Sequence, residues 1–161
     1  ELLEMNFDGI IASAGAYVEC DGREVYRHVS DKEQLNRLVK YFEDTQTTYM
    51  LQTRDGVVMT EKSWKAMVRH FLDMGMTEEK MEKVMVADVF LREDLYDCTD
   101  VEKMAYYDAP VSMEKIQEVL GDYFKVEGAS YKSGEGSNGE ITCAGENKQE
   151  FGDMLLMLVG I

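Results

Sequence analysis

Two Asp-Gly pairs, Asp21-Gly22 and Asp55-Gly56, constrain this chain more than any other feature. Each lies between two strand-like runs, and an Asp-Gly so flanked reads as the turn of a β-hairpin. The first hairpin joins Ala16–Cys20 to Arg23–His28. The second runs from Thr48–Thr53 through Arg54-Asp55-Gly56 into Val57–Thr60. A helical pattern follows each. Ser30, with Glu33 three residues on, makes a capping box, and behind it Leu35, Leu38, Val39 and Phe42 recur at i, i+3, i+4, i+7, one face of an amphipathic helix. Trp64, Met67, Val68 and Phe71 mark a second helix over 61–74, closed by Gly75.

The remaining segments extend that alternation. Residues 1–6 read as the tail of a helix, and Phe7–Ser13 as a short buried strand broken by Ala14-Gly15. Thr77 caps a short helix over 78–83, with Lys80 where a capping box needs Glu. Val84–Phe90 and Lys103–Tyr107 read as strands. Ser112 caps a helix through Ile116, Val119 and Leu120 that Gly121 ends. Phe124–Glu127 is strand-like, Ser133–Gly139 is loop-rich, Glu140–Cys143 is a last strand, and Asn147 caps a helix over Lys148–Val159. The order predicts an α+β layer with helices on one face of a mainly antiparallel sheet. The two ends want a sheet that the chain does not supply. It opens at Glu1 without Met and stops at Ile161 directly after an apolar helical stretch, which is expected of an excerpt from a longer protein.

Charge narrows the function classes. With 32 acidic against 17 basic residues the formal charge is −15, which argues against nucleic-acid binding and against a polybasic membrane surface. The longest apolar runs fall far below the roughly 20 residues of a membrane span, and no secretory signal opens the chain. Cys20, Cys98 and Cys143 are odd in number and lack metal spacing. They read as reduced thiols in the cytoplasm.

Few residues stand out for chemistry. His28 lies in a strand; His70 has Asp73 one turn on, close enough to pair, but two residues make no metal site. Glu93, Asp94, Asp97, Asp100 and Glu102 lack the glycine and closing glutamate of a calcium loop and read as a solvated loop. Arg54, at a hairpin tip, is in reach of a phosphate. Phe151–Leu158 (FGDMLLML) imitates a GDxxND magnesium loop but has Leu156 and Met157 where Asn and Asp are needed, so it offers the metal no ligands there.

Two blocks carry a family resemblance. Phe7–Glu19 (FDGIIASAGAYVE) resembles the FDG-I-I-xx-NGA-xV segment of Cof-type, subfamily IIB members of the haloacid dehalogenase (HAD) superfamily. Thr142–Ile161 resembles their stretch just after the cap, where a lysine opens a helix ending in leucine and glycine-isoleucine. Roughly 125 residues separate the blocks, room for a large α+β cap. The resemblance implies a C2B-type cap over 16–138, flanked by fragments of the Rossmann-like core at 1–15 and 139–161. It implies a magnesium-dependent phosphatase in which an aspartate attacks phosphorus, and aligns Lys148 with the lysine that contacts the phosphoryl group and the nucleophile. Lys148 in a first helical turn, beside the Asn147 cap, is also a physically sound anion site. Asn147 and Arg54 are the candidate substrate contacts.

The departures matter equally. Ala14 replaces the Asn of the NGA block and Gln149 the Gly after the lysine. The DxDxT nucleophile motif and the GDxxND loop are absent from the sequence. The reading is therefore the substrate-specificity region of a HAD-like phosphatase acting on small phosphorylated metabolites such as sugar phosphates. The intact parent would use Mg2+, whose ligands this chain lacks. The chain alone is expected to hydrolyse nothing, to bind neither nucleic acid nor membrane, and to self-associate through its core remnants. The alternative is a free-standing, non-catalytic α+β binding or regulatory module.

Overall fold

The structure, a computed structural model, describes residues 9–77, 79–81, 88–128 and 137–144. Both hairpins form, the first turning at its Asp-Gly pair and the second at Arg54-Asp55, with Gly56 already paired to Thr53. Strand β1 (Gly9–Ala12) pairs antiparallel with β2 (Tyr17–Cys20), which turns at Asp21-Gly22 into β3 (Arg23–Arg27). Asp21 and Gly22 both have positive φ, 50° and 70°, as a two-residue turn matched to strand twist requires. These three strands form one small sheet in the order β1-β2-β3.

The second sheet has six strands. After helix α1 (Lys32–Asp44) come β4 (Thr48–Thr53) and β5 (Gly56–Thr60), then α2 (Glu61–Asp73), β6 (Val89–Arg92) and β7 (Val101–Ala109). Helix α3 (Met113–Leu120), β8 (Phe124–Gly128) and β9 (Ser137–Cys143) complete it. The spatial order is β6-β5-β4-β7-β9-β8, antiparallel except at β5–β6. That parallel pair brings the backbone close at Gly56, where an added Cβ would collide with the Asp88 carbonyl oxygen. The same oxygen accepts the Val57 amide at 2.8 Å.

Side-chain alternation separates two faces of this sheet. Tyr49, Leu51, Met104, Tyr106, Phe124 and Ile141 point to one, against Leu35, Leu38, Val39 and Phe42 of α1 and Ile116 and Leu120 of α3. The four α1 side chains are completely buried, each contributing roughly 1.5–3 kcal/mol. Met50, Met59, Ala105 and Tyr107 point to the other face, where Met67 of α2 joins them with Trp64 and Phe71 alongside. Helices therefore occupy both faces, not one as the sequence suggested. The reason is the β5–β6 pairing: parallel neighbours need a crossover, and α2 belongs to that crossover.

Local signals held with one exchange. Helix α1 is capped by Asp31, whose carboxylate accepts the Glu33 and Gln34 amides, and not by Ser30. The Ser30 amide is used instead to bond the Val101 carbonyl at 2.7 Å, and its hydroxyl meets Cys143 Sγ at 3.4 Å. Thr60, Thr77 and Ser112 each accept an amide three residues on. The expected strand at 84–90 is described from Val89 and runs to Arg92, while Ser137–Gly139 of the expected loop belong to β9. The Lys148–Val159 helix and residues 1–6 lie outside the described residues. The expected division at 15/16 falls between two paired strands, and that at 138/139 falls inside β9. Among the described residues, no helix is long and apolar enough to cross a membrane.

Candidate functional site

The two sheets meet at a buried polar junction. Ser13 and Ala14, in the short 3-10 turn after β1, have left-handed φ of 51° and 61°, a conformation that costs a non-glycine residue roughly 1–2 kcal/mol. It accompanies a bond from Ser13 Oγ to Glu102 Oε2 at 2.6 Å. From β3, Arg27 Nε donates to Glu102 Oε1 at 2.8 Å, and Arg27 Nη1 reaches Asp100 at 3.3 Å. The Glu102 side chain is 5% exposed and that of Arg27 18%, so one carboxylate of the large sheet binds two elements of the small one away from water. Its bond to Glu102, and the nearby Asp100, raise the Arg27 guanidinium above its ordinary value.

A second contact spans the sheets nearer solvent. Arg54, one of the expected substrate contacts, lies in the β4–β5 turn with Nη1 3.3 Å from Glu24 Oε2 on β3. Both side chains are well exposed. Nearby, Tyr17 donates to Glu19 at 2.6 Å, and that bond raises the phenol above its usual value. The other two expected site residues, Lys148 and Asn147, lie outside the described residues.

Beside the junction, the α2-bearing face of the large sheet becomes polar. In one register row, Gln52, Lys103, Thr142 and Lys125 stand side by side on β4, β7, β9 and β8. In the row of Ala105, Glu140 and Glu127 are paired across β9 and β8. Lys103 Nζ bonds Glu140 at 2.9 Å and Lys125 Nζ bonds Glu127 at 2.8 Å. Lys103 follows Glu102 on β7 and Thr142 precedes Cys143 on β9, so the row lies at the junction's end of the strands with its side chains on the alternate face.

The other expected features have structural partners. His70 is buried between Phe71 and Tyr107, and its Nδ1 lies 3.4 Å from Asp108, not from the Asp73 the helical spacing offered. His28 Nδ1 is 3.3 Å from the Tyr26 hydroxyl. In the acidic stretch, Asp97 accepts from Asn36 and pairs with Lys32, which hold its carboxyl below the usual range. Cys98 faces an open groove of about 290 Å³ beside Val58, Phe90 and Arg92. Burial pushes its thiol up, although Arg92 lies 3.2 Å away, so it stays protonated at neutral pH and is a poor nucleophile.

No metal centre emerges among the described residues: no three His, Cys, Asp or Glu side chains are placed to hold an ion. Asp100 and Glu102 both face Arg27. A guanidinium where a cation would sit does not fit the magnesium ion implied by the sequence resemblance.

Neither Arg27 nor the Lys103 row stood out in the sequence. Glu102 did, but only as one of a run of acids. Their partners lie 75 and 37 residues away, and no local spacing marks such a pair.

Comparison with known proteins gives a consistent result. The model of the haloacid dehalogenase-like hydrolase family matches residues 1–161. No curated protein matches the chain in sequence. Among solved structures, a HAD-like hydrolase from B. subtilis aligns with TM-score 0.68 and 10% identity, over 95% of this chain and 59% of its own. A subclass IIB sugar phosphatase aligns with TM-score 0.65 and 14% identity, over 96% and 54%. A HAD-superfamily phosphatase from Bacteroides thetaiotaomicron gives 0.64 and 12%, over 96% and 53%. The chain spans little more than half the length of these structures, and at such identities the likeness is one of fold.

Proposed function

Since this chain belongs to the haloacid dehalogenase-like hydrolase family, we propose that it is the cap, or substrate-specificity, region of a magnesium-dependent phosphatase acting on small phosphorylated metabolites such as sugar phosphates. One observation carries the reading. The six-stranded sheet has one face sealed by α1 and α3, and on the other the row Gln52, Lys103, Thr142 and Lys125 is polar. A structural layer needs only the sealed face; a lid over a polar substrate needs both.

In this reading the small sheet, β1–β3, belongs to the core side and the six-stranded sheet to the cap, joined near His28–Ser30 and again after Cys143. The cap's task is to exclude water from a phosphoryl group held by the core and to select the group attached to it. Arg54 and the polar row are its candidate contacts. Lys148, with Asn147 at its helix start, would hold the phosphoryl oxygens from the core side, where an ammonium and free backbone amides together favour an anion. Magnesium, which would balance phosphoryl charge in the parent, finds no ligand set among the described residues. Its ligands and the aspartate nucleophile would come from outside these 161 residues. The chain alone is inactive in this account, and Ile10, 44% exposed on β1, favours self-association when the core is missing.

The coding sequence on either side tests the proposal. A DxDxT upstream, a GDxxND downstream and a native product longer by roughly 100 residues, about one core's worth, would support it. A native product ending at these same residues would overturn it in favour of a non-catalytic binding module.

A further inference from the structure

We propose that the outer edge of β6 is a self-pairing surface, on which a second copy of this chain adds its own β6 antiparallel across a two-fold axis. The inference is independent of the phosphatase reading. It concerns the large sheet, not the exposed β1 of the small one.

The first observation is an edge left open and apolar. Among the described residues β6 ends the six-stranded order, with β5 on one side only. The opposite end, β8, carries the exposed Lys125–Glu127 charge pair, a usual protection of a free edge. On β6, by contrast, Phe90 is 46% exposed and Leu91 51%. Pairing with β5 fixes which backbone groups are free. The Asp88 carbonyl accepts the Val57 amide, and Val57 stands opposite Val89. In a parallel ladder alternate residues bond the same neighbour, so Asp88, Phe90 and Arg92 turn their backbone groups inward to β5. Val89 and Leu91 aim theirs outward.

The second observation is that the segment is self-complementary. Asp88-Val89-Phe90-Leu91-Arg92, laid against itself in reverse about Phe90, sets Asp88 opposite Arg92 and Val89 opposite Leu91. Phe90 faces its own copy. Val89 and Leu91 then form the hydrogen-bonded pairs, which matches the groups the edge leaves free, and Phe90 forms the closely spaced non-bonded pair. Phe90 shares a face with Val58, its register partner on β5. There the groove of about 290 Å³ beside Val58 and Cys98 gives the second aromatic ring a seat. The two Asp88–Arg92 pairs place opposite charges face to face, a favourable cross-strand arrangement. Arg92 is available for it: its Nη1 bonds Cys98 Sγ, and it makes no ion pair among the described residues. Moving the axis to Leu91 would instead set Asp88 against Asp94, like charges directly opposed. Charge thus selects one register. So short a strand pair falls below the roughly 1,200–2,000 Å² of a standard interface, and the dimer it makes is a reversible one.

Sedimentation velocity of the full-length gene product, in a concentration series reaching the high micromolar range, tests the surface. Wild type should shift reversibly from monomer toward dimer. Phe90→Glu, at an exposed position, should weaken association tenfold or more, because the two-fold sets its two carboxylates together. Arg92→Asp should weaken it too, and adding Asp88→Arg should restore it, since the pair is then reversed. Crosslinking reads the register directly. Phe90→Cys copies would stand about 4.5 Å apart at Cα, within disulfide reach, and should form a linked dimer on mild oxidation. Leu91→Cys, set opposite Val89, should not. A wild type monomeric at every concentration would overturn the proposal. So would a dimer indifferent to Phe90→Glu but lost in Ile10→Lys, which would put association on β1. A charge swap that fails to rescue, a linked Leu91→Cys dimer or an unlinked Phe90→Cys chain would overturn it as well.

Discussion

Ser13 and Glu102 lie 89 residues apart in the chain and meet at 2.6 Å. The hydroxyl comes from a left-handed turn of the small sheet and the carboxylate from the first residues of β7. With Arg27 on the second carboxylate oxygen, this contact fixes how one sheet sits on the other. The contact that ties the two sheets together is thus a nearly dry ion pair.

The pair makes a stability prediction. Removing Glu102 leaves a mostly buried guanidinium with only the exposed Asp100 opposite it, and breaking a buried pair typically costs about 3–5 kcal/mol. In urea titrations Glu102→Ala should lower the unfolding free energy by an amount in that range, whereas Ser13→Ala, losing one charge-assisted hydrogen bond, should cost less, about 1.5–3 kcal/mol. Equal small losses in both variants would mean that this ion pair does not hold the two sheets together.

Arg54 and Glu24 make the opposite case. Both side chains are well exposed and 3.3 Å apart, and such pairs contribute at most about 1 kcal/mol. Arg54→Ala should leave unfolding nearly unchanged in chemical denaturation. If Arg54 contacts substrate, the same variant of the full-length enzyme should raise KM for its phosphorylated substrate. A large stability loss would show that the cross-sheet contact is structural.

Tyr49 yields a prediction of the other sign. Its hydroxyl is buried and has no hydrogen-bond partner among the described residues, and burial pushes the phenol well above its usual value. Removing an unsatisfied buried polar atom is neutral or favourable. Tyr49→Phe should therefore match or exceed wild-type stability, while Phe42→Ala, stripping the ring 5.2 Å from it, should cost about 3–5 kcal/mol. Calorimetry of the two variants separates these outcomes.

Asp97 contributes to the acid limb of the stability curve. Asn36 and Lys32 hold its folded-state carboxyl below the usual range. A depressed carboxyl contributes stability that is complete above its unfolded value, near pH 4, and is lost as pH falls through its folded value. The gap in urea midpoint between wild type and Asp97→Asn should stay constant above about pH 5 and close on further acidification. A gap that widens on acidification would contradict the assignment.

Much of this architecture was readable because its signals are local. Asp21-Gly22 and Asp55-Gly56 placed two hairpins, and the α1 stripe of Leu35, Leu38, Val39 and Phe42 is the stripe that is buried. Misreadings came where two equivalent signals adjoin or where partners are remote. Ser30 and Asp31 are both good caps, and the choice went to Asp31 because Ser30 is drawn to Val101 and Cys143. His70 had Asp73 within a helical turn, yet the sheet brings Asp108 to it. Face assignment of α2 depended on β5 and β6 pairing in parallel, which neither strand's composition encodes. The junction and the lysine row are sites of long-range register, and register is a property of the assembled sheet.

The most direct test is magnesium-dependent phosphate release from a panel of sugar phosphates, measured side by side on the full-length gene product and on these 161 residues. The account predicts release by the full-length protein and none by the isolated chain. Phosphate release by the 161-residue chain, or none from either protein, would contradict it.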